Sequence, residues 1–237
     1  MTSDTPSELS RLFAVMAQLR GPDGCPWDRA QDHRSLLPHL LEETHELIAA
    51  VEAGDLQEIA EELGDLLVQV AMHTAIAAER GGVDLAEVAS LATTKMISRH
   101  PHVFEGAEVS GEEQLLRSWE LLKRLEKPHR ASALDGIPES LPALALASSF
   151  QRRAIRANSA VGPPVPAGAE TMPRLQAALE DHAGASDQLI GELLWSVVGL
   201  ARDLKVDPEG ALRRSAWSWA SSYREAEGAV GNSEPEA

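Results

Sequence analysis

The sequence predicts an all-α protein, a helical bundle with no strand. Three observations carry this. Alanine and leucine dominate while aromatic residues make up only 4% of the chain, a composition of packed helices rather than of a β-sandwich. Apolar residues recur at a 3.6 period in segment after segment. The breaks between segments are Gly, Pro and Asp clusters of the kind that end and start helices.

Taken in order, the polar first ten residues predict a loose start. "LSRLFAVMAQLR" (9–20) has helical spacing and is stopped by "GPDGCPWD" (21–28). Periodic segments then run from Ser35 to Val51 and from Leu56 to Ala78, separated by "AGD" (53–55). Gly54 is a natural helix terminator and Asp55 a natural N-cap. "GGVD" (81–84) closes the second of these, and Asp84 caps a helix reaching Ser98. "RHPHVF" (99–104) breaks it, and a further helix is expected over 111–127. "ALDGIPESLP" (133–142) reads as a junction, followed by a helix over 141–157. "NSAVGPPVPAGAETMP" (158–173) reads as a Pro/Gly/Ala linker. Helices follow around 173–183, 187–204 and 208–227, and residues 228–237 read as a disordered tail.

The 237 residues fit one large domain or two small ones, and 43% apolar content suffices for a core. A net charge of −16 opposes nucleic-acid backbone, and no basic stripe with interleaved aromatics offsets it. No apolar run reaches membrane-spanning length. The N-terminus lacks the basic and apolar regions of a signal peptide, and the single cysteine, Cys25, has no internal disulfide partner. The expectation is a cytoplasmic protein with neither nucleic-acid nor membrane partners. An anionic ligand would need a local source of positive charge, and a bound cation is the simplest.

"HLLEETHELIAAVEAGDLQEIAEELGDLLVQV" (39–70) is where such a cation would sit. Two helices joined by a short turn pack antiparallel. Glu46 and Glu62 each lie eight residues from Gly54, Glu43 and Asp65 each eleven. The pairs therefore stand at common heights, about 12 and 16 Å from the turn. Within each helix the i, i+3 spacing places both acids on one face. Converging carboxylates would be costly without a cation, and oxygen-only ligands suit Mg²⁺, with Mn²⁺ as a substitute. His45 points about 200° away from Glu43 on the helical wheel, which disfavours zinc. Spacing alone leaves two readings open, a solvated acidic face and an inward metal site. The narrow polar stripe Glu58, Glu62, Asp65, Gln69 on an otherwise apolar helix, and the absence of lysine from the hairpin, bring the second level with the first and leave both open.

"CPWDRAQDHRSLLPHLLEETHEL", "EELGDLLVQV" and "KMISRHPHVF" together resemble the MazG family of nucleoside triphosphate pyrophosphohydrolases, over about residues 7–127. The resemblance implies an all-α NTP pyrophosphatase bundle, residues 1–130 as a catalytic domain, and Mg²⁺-dependent cleavage of an NTP or dNTP to the nucleoside monophosphate and pyrophosphate. It implies Glu43, Glu46, Glu62 and Asp65 as metal ligands. Glu42 completes the family's double-Glu step and would orient or deprotonate the attacking water, so Glu42 and Glu43 are the catalytic candidates. Lys95 and Arg99 fall at a family Lys-x-x-x-Arg pair and would contact phosphate. Trp119 and Lys123 would reach the base and phosphates, in a homodimer from the other protomer. The same fold admits other outcomes: dUTPase-like or phosphoribosyl-ATP specificity, or a regulatory module that binds a nucleotide or a partner without turnover.

A weak internal echo, "LGDLLVQV" (63–70) against "IGELLWSV" (190–197), suggests a second, degenerate unit over 131–227. There Leu189 and Glu192 stand for Glu62 and Asp65, and Ser218 and Ser222 for Lys95 and Arg99. One carboxylate does not make a cation site, so this unit is expected to be inactive, with Trp195, Trp217, Trp219 and Tyr223 filling a lost pocket or forming an interface. Cys25, Trp27, His100 and His102 are expected to be structural.

Overall fold

The computed structural model describes residues 5–107, 130–157, 168–180 and 187–231, with isolated positions 111, 115, 118, 119, 122, 125, 126 and 165 between them. Every regular element among them is helical. None of these helices is long and apolar enough to cross a membrane. The chain divides into two compact units, Met1–Glu105 and Gly106–Ala237.

In the first unit α1 (Thr5–Arg20) is followed by the short α2 (Pro26–Ala30), then by α3 (Leu37–Ala53) and α4 (Leu56–Glu79). The start is therefore helical from Thr5, not loose to residue 10. Leu12, Phe13, Met16 and Leu19 recur at helical spacing and extend the periodic face through this segment. They pack with Leu36, Val68, Ala71, Met72 and Ile76 in the unit's core, so α1 lies against the later half of α4.

Gly54 ends α3 in the left-handed region (φ 74°), a conformation glycine adopts without Cβ strain. Its N–H and that of Asp55 bond back to Ala50 O. Asp55 then caps α4 by accepting from Gln57 N and Glu58 N. The chain thus reverses in two residues, and α3 and α4 form the antiparallel hairpin that the capping chemistry predicts.

The hairpin's open end is held by Arg20. Its side chain is only 5% exposed; it donates to both carboxylate oxygens of Glu79, at 2.7 and 2.8 Å. It also donates to the carbonyls of Asp28 and Gln31. One guanidinium thereby ties the ends of α1 and α4 to the segment leading into α3. A long, planar five-donor group suits this role better than lysine.

Asp84 caps α5 (Leu85–Ser98) by accepting from Glu87 N. Arg99 ends α5 and the short α6 (Pro101–Phe104) follows, with His100 Nδ1 against Met96 O. The helix expected over 111–127 lies largely outside the described residues.

The second unit contains α7 (Ala143–Arg156), a 3₁₀ turn (Gly168–Glu170), α8 (Thr171–Glu180), α9 (Asp187–Asp203) and α10 (Pro208–Gly231). Two sequence expectations change here. The linker gives way to ordered structure by Gly168, whose N–H bonds to Asp203 Oδ2 at 2.7 Å. A Cβ at Gly168 would stand 3.0 Å from Leu200 Cα, so any larger residue here would force the neighbouring helix to give. And α10 runs to Gly231, four residues past the tail boundary at 227 read from the sequence; residues 232–237 lie outside the described set.

Candidate metal centre

The α3–α4 hairpin brings Glu43, Glu62 and Asp65 together, with one oxygen from each within 4.8 Å of the others. Glu43 comes from α3, and Glu62 and Asp65 from α4 one turn apart. Glu43 and Asp65, one of the two pairs at equal height above the turn, thus meet in the cluster with Glu62, whose partner in height, Glu46, is not part of it. Glu46, the fourth, is exposed, yet it hydrogen-bonds Glu43 and its charge acts on both Glu43 and Glu62.

The acids of the cluster act on one another electrostatically. Glu43 is pushed above the usual carboxylate range, first by desolvation, then by Asp65, Glu46 and Glu42. Glu62 is raised as well, again first by desolvation, then by Glu46, Asp65, Glu43 and Glu61. Among the described residues, the charges acting on these two groups are all carboxylates. Glu62 Oε2 is buried with no hydrogen-bond partner among the described residues. Convergent oxygens, like-charge strain and an orphaned buried carboxylate oxygen fit a hard cation bound through oxygen. Among the described residues no histidine or cysteine joins the cluster, and His45 is exposed.

Glu42 is exposed on the adjoining face of α3, with His39 Nδ1 3.8 Å from its carboxylate. Lys95 is exposed on α5, and Arg99 is half-buried at that helix's end. Trp119 falls in the second unit and is half-buried; Lys123 lies outside the described residues. Trp27 is exposed in α2, edge-on to His39 with ring centroids 6.0 Å apart. Cys25 is half-buried at the start of that helix, with its N–H bonded to Leu19 O.

Two groups escaped sequence reasoning. His73 continues the stripe of Glu62, Asp65 and Gln69 by one more helical turn, and its Nδ1 hydrogen-bonds His33 Nδ1 at 2.8 Å. The rings stack with centroids 5.1 Å apart and planes 4° from parallel. This joins α4 to the segment before α3 at the hairpin's open end. Desolvation, then His33, lowers the His73 pKa, which favours neutral imidazole. The i, i+4 step from Gln69 was a legible signal for His73; its partner 40 residues earlier was not.

In the second unit Glu192 lies on α9, where its carboxylate accepts from Gln188; Leu189 offers no ligand. Ser218 and Ser222 lie on α10, bonded to each other through Ser222 Oγ and Ser218 O. Trp217, Trp219 and Tyr223 are exposed and so fill no pocket, and Trp219 stacks on Tyr223. On a helix whose apolar positions are not covered, rings pair along the surface instead.

Known proteins resemble this chain along most of its length. Residues 31–104, which span the hairpin, match the MazG nucleotide pyrophosphohydrolase domain model. The chain is 35% identical over 231 residues to the nucleoside triphosphate pyrophosphohydrolase of Escherichia coli K12, covering 93% of this chain and 88% of that protein. It is 37% identical over 222 residues to the nucleoside triphosphate pyrophosphohydrolase/pyrophosphatase MazG of Thermotoga maritima, covering 91% and 84%. It is 42% identical over 148 residues to the nucleoside triphosphate pyrophosphohydrolase of Mycolicibacterium smegmatis, covering 61% and 45%. With an all-α fold, an acidic α3–α4 hairpin and similarity along nearly its whole length, the chain belongs to the MazG family of nucleoside triphosphate pyrophosphohydrolases.

Proposed function

We propose that this protein hydrolyses NTPs or dNTPs to nucleoside monophosphate and pyrophosphate with Mg²⁺, from its first unit. The observation that carries this reading is the convergence of Glu43, Glu62 and Asp65 in a setting where, among the described residues, the charges acting on Glu43 and Glu62 are carboxylates. When bound, Mg²⁺ supplies neutralisation of triphosphate charge and acidification of a coordinated water; Mn²⁺ substitutes for it by ligand type.

The chain's own groups do the rest. Glu43, Glu62 and Asp65 hold the cation, and Glu46 steadies Glu43. Glu42, on the open side of α3, accepts a proton from the attacking water. The water oxygen bonds to the α-phosphorus, the bond from that phosphorus to the bridging oxygen breaks, and pyrophosphate leaves. Lys95 and Arg99 contribute positive charge toward phosphate. We further propose a cytoplasmic, nucleotide-pool-clearing role and a homodimer. Leu63, Leu67 and Val70 support the latter, as an exposed apolar stripe on α4 available for burial by a second copy. The second unit is read as catalytically inactive, because Glu192 stands without a second acid at the matching position.

An NTP and dNTP panel with Mg²⁺ and product analysis tests the reading. Pyrophosphate from several nucleotides is the expected result. Turnover confined to dUTP, dCTP or a phosphoribosyl-ATP would narrow the specificity on the same fold. Nucleotide binding without any product would replace the enzyme with a regulatory module.

A further inference from the structure

The polar row on α4 does not stop at Asp65. Gln69 follows one turn on and His73 one turn after that, at the i, i+4 steps that keep a helix face. Gln69 is 7% exposed, and its Oε1 is buried without a hydrogen-bond partner among the described residues. His73 Nε2 and Glu62 Oε2 share that condition. Three orphaned polar atoms therefore line one face of one helix, the face that carries the acid cluster. Native proteins rarely leave such atoms unserved, and when they do the reason is usually a water, an ion or a chemical role.

Gln69 Oε1 is an acceptor, so it needs a donor. The carboxylates one and two turns away have no proton to offer when ionised. A hard cation held by a few carboxylates keeps waters in its shell, and those waters are strong donors. Asp65 and Gln69 are separated by about 6 Å along the helix axis, a distance that one water bridges. A neutral amide oxygen does this without adding charge to a cluster that already carries too much. His73, fixed by His33 across the open end, closes the row on the far side of Gln69.

We propose that Gln69 is a positioning residue of the acid centre, its amide oxygen accepting a hydrogen bond from a water in the shell of the cation held by Glu43, Glu62 and Asp65. The inference rests on the cation reading given under Proposed function. It assigns to the buried amide what an outer-shell partner supplies in metal sites generally, orientation of the bound water and part of the affinity.

The test titrates Mn²⁺ into the full chain, reading free metal by its paramagnetic resonance signal. The variants are Gln69→Met, Gln69→Glu and Asp65→Asn, each also melted without metal. Methionine matches glutamine in length and lacks the acceptor; glutamate restores an oxygen. Gln69→Met should weaken Mn²⁺ binding roughly 10-fold or more. Its metal-free melting temperature should equal or exceed that of the native chain, because an orphaned acceptor is gone. Gln69→Glu should recover the affinity. Native affinity in Gln69→Met overturns the proposal, as does a joint loss of affinity and metal-free stability that Gln69→Glu does not restore. Native affinity in Asp65→Asn overturns the cation reading instead, whatever Gln69 does. Should Gln69→Met not fold, Gln69→Asn, which withdraws the oxygen by one methylene, should weaken Mn²⁺ binding in the same way, and native affinity there overturns the proposal.

Discussion

α4 of the first unit and α9 of the second each carry polar groups into a packed interior, and they provide for them differently. Around α9 the account closes within the protein. Gln151 is fully buried; its Nε2 donates to Trp195 O at 2.8 Å and its Oε1 accepts from Arg202 at 2.8 Å. Thr171 Oγ1 donates to Ser196 O, and Asp203 accepts from Gly168 N. Backbone hydrogen bonding, then Arg202, holds Asp203 below the usual carboxylate range. Along α4, Glu62, Gln69 and His73 each keep a buried atom without a partner among the described residues, and burial with like charge raises Glu43 and Glu62. Polar groups that serve the fold find partners inside it. On the proposed reading, those along α4 serve a cation and are left facing one another, at a cost in stability that its binding would remove.

If this contrast is right, substitutions in the two regions should separate turnover from stability. The largest effect belongs to the acid cluster. Asp65→Asn or Glu43→Gln should lower Mg²⁺-supported turnover by more than about 100-fold, beyond what outer-shell partners usually cost, while circular dichroism shows unchanged helix content. The mirror image is Gln151→Leu. It removes the hydrogen bonds of Gln151 to Trp195 O and Arg202, and should destabilise by about 1–3 kcal/mol in urea unfolding, with turnover per folded molecule unchanged.

A smaller effect sharpens the electrostatic half of the comparison. A carboxyl whose folded pKa is raised binds more protons in the native state than in the unfolded one, between the two pKa values. Metal-free stability from Glu43 and Glu62 therefore falls as pH rises from the ordinary carboxylate range through their raised values. Asp203 and Glu79, both lowered, act oppositely, losing their contribution as pH falls through their folded values. Melting temperatures of native chain and a Glu43→Gln/Glu62→Gln double variant, compared across pH, isolate the first contribution. Their difference should grow toward neutral pH without metal and shrink when Mg²⁺ is added. The smallest effect is none: Glu192→Gln on α9 should alter neither turnover nor Mn²⁺ binding, and a loss there would erase the distinction between the units.

Much of the first unit was legible because its signals are local. Gly54 and Asp55 set the hairpin turn through their own backbone and capping chemistry, and a known turn fixes which residues stand at equal height. That was enough to group the acids. Whether they faced inward was not legible from spacing, since a solvated face has the same periodicity. Partnerships across long sequence separations were also hidden: Arg20 with Glu79, and His33 with His73. Such pairs depend on how helices dock, which local pattern does not encode. The linker was misjudged at its end for the same reason. Gly168 looks like a spacer until Asp203, 35 residues away, takes its N–H.

The central claim, that the α3–α4 acids perform the hydrolysis, is tested most directly by product analysis of Mg²⁺-supported NTP turnover in the native chain and in Asp65→Asn. The prediction is nucleoside monophosphate with pyrophosphate from the native chain, and neither above background from the folded variant. Orthophosphate as the primary product, or native turnover in Asp65→Asn, would contradict it.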